Sequence, residues 1–512
     1  MSLARSLFAR AIVDLLRCAF VTLLPCIMLA AHATPPTSLT VNDLGDATVG
    51  CPSTCTLRNA ISDIAPGGTI DFAPDLLPGT ITLTLGQISF SKALVIQGPG
   101  AAQLSVSAAG ASRLFDVYLP PGSTILIAGL ILRDGALVGA DGADGASGVG
   151  PSEDGKDGGF AESEEGGCIN VFENFANGTL ILDGIDLRNC SIRGGHGGSG
   201  GDGAASVSAL TAGGAGGKGR DGGSVAGACI RFVGADVGSG VGDLIVRNSS
   251  VTHCQAVAGN GGSGGDGGTA SVFHGIGGAG GSGGDAIGDA ISFQGNALSI
   301  RNSTVADADA AAGDGAGGGT GDATYSLYPG GAGGDGGIAV GGLVYANGAG
   351  RLEFATLANG DVHAGSAGPA GSGAAHGADG TPGQTAGAAF LGYQTGIGEY
   401  LALSTAVVGS STTPLCAGLF GAAGSINLAE SASCPANVQG TLAQVFRPLD
   451  SGQPLPAYMP VFHSNAIDAA PSCNDLTFVP VKEDEHGTPR PQGGVCDIGA
   501  IEADYIFVDG LD

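Results

Sequence analysis

The chain repeats itself at fixed intervals. Gly167-Cys168-Ile169-Asn170-Val171-Phe172 recurs as Ala228-Cys229-Ile230-Arg231-Phe232 and as Asp289-Ala290-Ile291-Ser292-Phe293, placing copies at 168, 229 and 290, 61 residues apart. Weaker copies at Leu343-Val344-Tyr345 and Ala389-Phe390-Leu391 shorten the interval to 53 and then 46. A second apolar run trails each copy: Leu180-Ile181-Leu182, Leu244-Ile245-Val246, Leu298-Ser299-Ile300, Leu352-Glu353-Phe354 and Leu401-Ala402-Leu403. Such a unit cannot bury its own apolar face and must stack on its neighbours. Stacking like strands at roughly 4.8 Å predicts an all-β solenoid, a right-handed parallel β-helix. A sandwich has no need of the same residue types at the same offset. Residues 69–133 agree, with short strands at Thr80–Leu85, Ala93–Gln97, Gln103–Ser107 and Thr124–Ile127, and no helical period over three turns.

Matching offsets predict neighbours. Asn248 and Asn302 should stack as an asparagine ladder at a turn, and Asp183, Arg247 and Arg301 as a charge ladder on a coil face. Ten cysteines lie beyond residue 33: Cys51, Cys55, Cys168, Cys190, Cys229, Cys254, Cys416, Cys434, Cys473 and Cys496. An even number suits disulfides in an exported chain. Cys416 with Cys434 and Cys473 with Cys496 are the local pairs. For the middle four, the offsets favour Cys168–Cys229 and Cys190–Cys254 between adjacent coils, against pairing along the chain or unpaired ladders.

Export is expected from the first 33 residues. Arg5, Arg10 and Arg17 precede an apolar run from Cys18 to Ala31 and the small-x-small site Ala31-His32-Ala33, the pattern of a cleaved signal peptide. The rival, a membrane anchor, needs about 20 apolar residues. Leu23-Leu24-Pro25-Cys26 is a poor lipoprotein signal because proline precedes the cysteine. The net charge of −28 becomes more negative without this segment, which sets nucleic acid and anionic lipid aside as partners.

Glycine accounts for 98 of 512 residues, concentrated in excursions at roughly 134–166, 194–226, 256–288, 310–340 and 359–387. It falls largely in triplets, as at Gly139, Gly142, Gly145 and Gly148. Flexible loops are one reading. Packed polyglycine-II-like helices, with a close contact at every third residue, are another. Calcium is the third: Gly280–Gly288 fits the nonapeptide Gly-Gly-x-Gly-x-Asp-x-U-x through Asp285, and shorter hits end at Asp202, Asp221, Asp266 and Asp335. Calcium rolls need such units in tandem, and here most lie tens of residues apart. No other cofactor is implied.

The heptad Cys55-Thr56-Leu57-Arg58-Asn59-Ala60-Ile61 resembles the Cys-Ser-Leu-Arg-Glu-Ala-Ile signature of bacterial CSLREA-domain surface proteins. Leu39-Thr40-Val41-Asn42, Gly68–Phe72, Gly79–Leu83, Leu94–Gly100, Ser112–Phe115 and Ile127–Leu130 follow that family's order. Thr56 and Asn59 depart from the signature, and Asn59 removes its acid. Asn465–Ala469, His486–Pro491 and Cys496–Glu502 resemble the companion choice-of-anchor module. Ile506–Asp512 is similar to a tail found on exported proteins of some Gram-negative bacteria. The resemblance implies an adhesin-like, polymorphic outer-membrane-protein-like β-helix at the cell surface or in the medium, with no catalytic residues to carry over. The expected organisation is 1–33 signal peptide, 34–133 cap and first coils, 134–410 coils with excursions, 411–505 C-terminal module and 506–512 tail.

Pectin-lyase-like β-helices also include polysaccharide lyases and glycoside hydrolases, and fold alone does not decide between them. Carboxylates at set separations, or acids with a basic arginine, would be needed. The candidates are Asp183, Asp186, Arg188, Arg247, His253 and Arg301, spread over different coils. No tryptophan and only eight tyrosines argue against a sugar cleft. Arg58, His463 and His486 read as structural groups. The expectation is therefore a non-enzymatic exported β-helix whose glycine-rich flank meets an extracellular surface, polysaccharide or protein, with a polysaccharide-degrading enzyme as the alternative.

Overall fold

The computed structural model describes residues 35–503 except 49, 174–176, 209, 235–241, 394–399, 410, 419 and 423–426. The expectations for 1–33 and 506–512 lie outside these residues. Strand pairing within the three sheets is parallel throughout, and the chain winds as a parallel β-helix. Each coil has three walls. The first carries Phe115–Leu119, Ile169–Glu173, Ile230–Gly234 and Phe390–Tyr393; the second Thr124–Ala128, Thr179–Asp183, Asp243–Arg247 and Tyr400–Leu403. Ile291–Arg301 and Val344–Glu353 serve both walls as single strands. The third wall carries Ile131–Arg133, Asp186–Arg193, Ser250–Val257, Thr304–Ala311, Thr356–His363 and Ala406–Val408.

The register is the one the repeat predicts. Ile169 pairs with Ile230, Ile230 with Ile291, Ile291 with Val344 and Val344 with Phe390. Because side chains alternate across a strand, Ile169 and Val171, Leu180 and Leu182, and, past the left-handed Asn189 (φ 55°), Cys190 and Ile192 enter the coil, where each is buried. Full burial of one such side chain stabilises by about 1.5–3 kcal/mol, and the stack repeats it coil after coil. Asn302 donates to Asn248 at 3.1 Å, and Asp183, Arg247 and Arg301 are consecutive register partners. The asparagine and charge ladders are therefore present.

The disulfides correct one expectation. Cys168 joins Cys190 and Cys229 joins Cys254, each with Cα atoms 5.6 Å apart, within a coil rather than between coils. Cys190 and Cys254 are indeed register partners. Their Cβ atoms point the same way from strands about 4.8 Å apart, wider than the ~3.8 Å a disulfide prefers. Cys168 and Cys190 instead face each other across the coil interior. Cys51–Cys55, Cys416–Cys434 and Cys473–Cys496 complete the set.

At the N-terminal end, Leu57–Asp63 forms a short helix capped by the Thr56 side chain. Arg58 binds both carboxylate oxygens of Asp46 (2.7 and 3.0 Å) and the carbonyls of Gly86 and Gln87, the structural use expected of it.

The C-terminal segment folds back along the outside of the coils. Gly499 N–H donates to the Ser404 carbonyl, Ala500 N–H to Thr356, the Thr304 hydroxyl to Glu485, and Ser250 to the Pro456 carbonyl. Arg490, fully buried at its side chain, binds Glu502 at 2.8 Å and the Gly499 carbonyl, with its guanidinium 4.8 Å from the Phe354 ring centre.

The glycine-rich excursions are ordered, and they are the second packed body of the molecule. Each leaves the third wall, runs out, turns and returns to a two-residue strand; these strands form a five-stranded sheet from Glu164–Glu165 to Thr385–Ala386. Outgoing arms cover 139–148, 194–204, 258–268, 312–321 and 364–372; return arms cover 153–163, 213–224, 275–285, 330–338 and 377–384. Hydrogen bonds recur every third residue. Gly142, Gly145 and Gly148 donate to His196, Ser199 and Asp202 of the next outgoing arm, while Gly195, Gly198 and Gly201 donate to Glu162, Gly159 and Lys156 of a return arm. This is the polyglycine-II arrangement, as two layers of five arms, parallel within a layer and antiparallel between layers.

Composition follows packing. A Cβ at Gly195 would strike the Ala140 carbonyl, and one at Gly198 the Ala143 carbonyl. Inner arms, enclosed on more sides, use two glycines per triplet, as in Gly194-Gly195-His196. The outermost arms, open on one side, use one, as in Gly142-Ala143-Asp144 and Gly368-Pro369-Ala370.

Candidate functional site

The third residue of each triplet faces outward, so the bundle has two broad faces of small polar side chains. Its backbone N–H has no carbonyl opposite it, and a side chain one coil back takes its place. Asp141 accepts from His196 N–H at 2.6 Å, Asp144 from Ser199, Asp202 from Asp266 and Asp266 from Thr320. On the other face Asp285 accepts from Ile338 N–H and Asp335 from Thr381 N–H, at 2.8 and 2.7 Å. Asp335 is held below the usual carboxylate range by that Thr381 N–H and then by the Thr381 hydroxyl.

The aspartates of the calcium-type motifs are divided between these two faces. Asp202 and Asp266 lie on one face and Asp285 and Asp335 on the other, each closing a backbone hydrogen bond. Among the described residues, no group of three or more His, Cys, Asp or Glu is placed to hold a metal ion.

Of the acid–base candidates, Asp183, Arg247 and Arg301 lie side by side as one ladder, while Asp186, Arg188 and His253 belong to the third wall. Asp183 binds Arg247 at 2.8 Å and accepts from Asn248. Arg301 binds Asp475 of the C-terminal segment at 3.1 Å. Asp186 is buried beside Arg188 (3.3 Å), and burial pushes its pKa up to about 6 against the pull of Arg188. His253 stands exposed on a left-handed backbone turn (φ 54°). A hollow of about 490 Å³ lined by Gln97, Leu126, Asp183 and Leu455 has Asp183 as its one charged residue.

The distal edge of the bundle is different. Five turns, 149–152, 205–208 with 210–212, 269–274, 322–329 and 373–376, lie side by side because the arms that carry them are hydrogen-bonded in register. Val149, Leu210 and Leu327 are 93%, 89% and 81% exposed there, with Val207 and Tyr325 also open to solvent. In a chain of net charge −28, these turns hold one carboxylate, Asp322, two histidines, His274 and His376, and no lysine or arginine. Even that carboxylate is turned inward and buried. Glu153, where the first turn ends, folds its carboxylate back onto the N–H groups of Val149 and Gly150.

Asp322 is the knot of this edge. Its carboxylate accepts the N–H of His274 from the neighbouring turn (2.8 Å) and those of Thr324 and Tyr325 in its own. The same three N–H groups, His274 first, hold its pKa below the usual range. Its backbone N–H donates to Tyr328, and its carbonyl accepts from Ala374 of the next turn. Three turns are thereby fixed around an aromatic cluster, with the Phe273 ring centre 5.2 Å from Tyr325 and 5.8 Å from Tyr328. None of these residues stood out in the sequence reading. Their signal was the interruption of glycine tracts by aromatics: of four in the excursions (Phe160, Phe273, Tyr325, Tyr328), three sit on this edge.

No family model and no curated protein matches the chain. Among solved structures it is similar to the pectate lyase Pel9A, over 91% of this chain and 97% of that one, at 11% identity and a TM-score of 0.31. It is also similar to the nine-helix polyproline-II bundle of a springtail antifreeze protein from Granisotoma rainieri, over 48% of this chain and 96% of that one, at 23% identity and a TM-score of 0.11. At those scores neither likeness says what this chain binds or does, and the β-helix and its bundle rest on the strand pairing and hydrogen bonds described above.

Proposed function

We propose that this is an exported, non-enzymatic β-helix that works at a cell or matrix surface, with the distal edge of its glycine bundle as the contact face. The observation that carries the reading is the edge itself: exposed apolar and aromatic residues, fixed by a buried Asp322, on a strip of a strongly acidic molecule that bears no other carboxylate and no lysine or arginine. Exposed apolar patches of this kind mark contact sites more often than chance, and rigid arms hold this one about 30 Å from the coils. Five disulfides suit an oxidising compartment outside the cytoplasm. The acidic body repels polyanions and keeps the protein soluble, leaving the edge to make the approach.

The test compares the full chain with a variant whose exposed edge residues (Val149, Val207, Leu210, Tyr325 and Leu327) are all serine. Retention on intact bacterial cells and on extracellular-matrix-coated surfaces is measured. Retention of the native protein and its loss in the variant are expected. Equal retention of both, or retention of neither, would defeat the proposal.

A further inference from the structure

We infer that the contact edge is a lectin-like site that takes an uncharged glycan chain, with Phe273, Tyr325 and Tyr328 as its stacking surface. The inference rests on the contact-face reading above and names the ligand class.

Size is the first argument. Five turns about 4.8 Å apart, on a bundle two arms deep, make a strip about 20–25 Å long and about 10 Å wide. That is well short of the ~800 Å² per partner typical of a stable protein interface. The occupant must therefore be narrow and elongated.

Charge is the second. The strip's one carboxylate, Asp322, is already bound by three N–H groups. The strip has no lysine or arginine to pair with an anionic ligand, and the acidic body repels anionic ones. A neutral chain meets neither obstacle.

Surface chemistry is the third. The C–H groups of a sugar ring carry partial positive charge and are attracted to the negative face of an aromatic ring. Phe273 stands between two tyrosines with interplanar angles of 56° and 42°, a tilted cluster with two phenol hydroxyls beside it. Ser271, Thr324 and Ser326 are exposed around it and can exchange hydrogen bonds with sugar hydroxyls. The cluster is also preorganised, because Asp322 ties the turns that carry all three rings, so little ordering cost falls on binding.

The test measures binding of the full chain to dextran, yeast mannan and a neutral galactan, with polygalacturonate and phosphatidylcholine vesicles as the contrasting probes. Saturable binding to at least one neutral glycan is expected, weakened about tenfold or more in Tyr325→Ala/Tyr328→Ala. Tyr325→Phe/Tyr328→Phe, which keeps the rings, should retain most of the affinity. Circular dichroism of both variants should overlay that of the native chain. Binding to none of the three glycans, preference for polygalacturonate or vesicles, or unchanged affinity in the double alanine variant would each overturn the inference. Cell retention separates this failure from that of the broader reading. If native protein still adheres after periodate destroys surface sugars, the contact face stands and the glycan does not. If it never adheres, both fall.

Discussion

A single carboxylate organises the contact edge, which makes Asp322 the residue to remove first. Asp322→Ala frees the N–H groups of His274, Thr324 and Tyr325. Hydrogen exchange at those three amides should speed by at least tenfold, while amides of the third wall, such as Val251 and Val305, keep their protection. Uniform loss of protection would mean that Asp322 supports the fold at large. The buried acids give a second expectation. Burial pushes Asp186 and Asp497 up to about 6 from 3.8, and Glu485 well above its ordinary value. Between pH 4 and 6 the folded state therefore holds more protons than the unfolded one, so stability falls as pH rises through that window and stays lower above it. The melting temperature should be higher at pH 5 than at pH 7, and Asp186→Asn should raise it at pH 7 and flatten the difference. A melting temperature that climbs from pH 5 to 7 in the native chain would contradict this account. At this scale the sequence was least legible. Equal offsets identified Cys190 and Cys254 as neighbours, but not that Cys168 across the coil was the better-aimed partner. Asp322 carried no motif at all, since its role depends on turns 48 and 52 residues away in the chain.

The arms of the bundle have a register of their own, with a period of three. Gly198→Ala places a methyl against the Ala143 carbonyl in the layer's interior. It should cost about 1–3 kcal/mol, seen as faster exchange at Gly198, Gly201 and Arg220. Ala143→Gly on the outermost arm should change exchange there by much less. Deleting one whole triplet from both arms of one excursion, Gly197–Ser199 with Gly216–Lys218, keeps every glycine in phase. Deleting Ser199 alone turns the rest of its arm by about 120° and drives Asp202 towards the neighbouring arms. The triplet deletion should express as soluble protein with native exchange in adjacent excursions, and the single deletion should lose protection in at least three arms. Indistinguishable behaviour of the two would refute the period. At this scale the sequence carries a clear signal. Glycine triplets alone suited loose loops as well as packed helices, but the drop from two glycines to one in the first and last excursions is a packing signature that disorder has no reason to produce.

Over the whole molecule, the 61-residue recurrence was enough to give the coil and its register, because in a solenoid sequence spacing and spatial neighbourhood are the same thing. It could not show that the chain builds two bodies of opposite physical character. The β-helix buries a continuous apolar core from Leu39 to Cys434. The bundle buries scarcely a side chain and is held by backbone hydrogen bonds, each worth about 1 kcal/mol net, against the large entropy that glycine loses on ordering. Its stability should accordingly be smaller, with little heat-capacity change, because heat capacity follows apolar burial. Two unfolding events are expected on heating. The first should be a bundle transition seen by exchange at Gly195, Gly217 and Gly278. The second, at higher temperature, should be loss of β-sheet circular dichroism, carrying most of the heat-capacity change. Reduction of Cys168–Cys190 and Cys229–Cys254 should lower the second more than the first, since both bonds lie within the coils. Coincident transitions by both probes would mean instead that the arms and the walls fold as one cooperative unit, with the five-stranded return sheet coupling them.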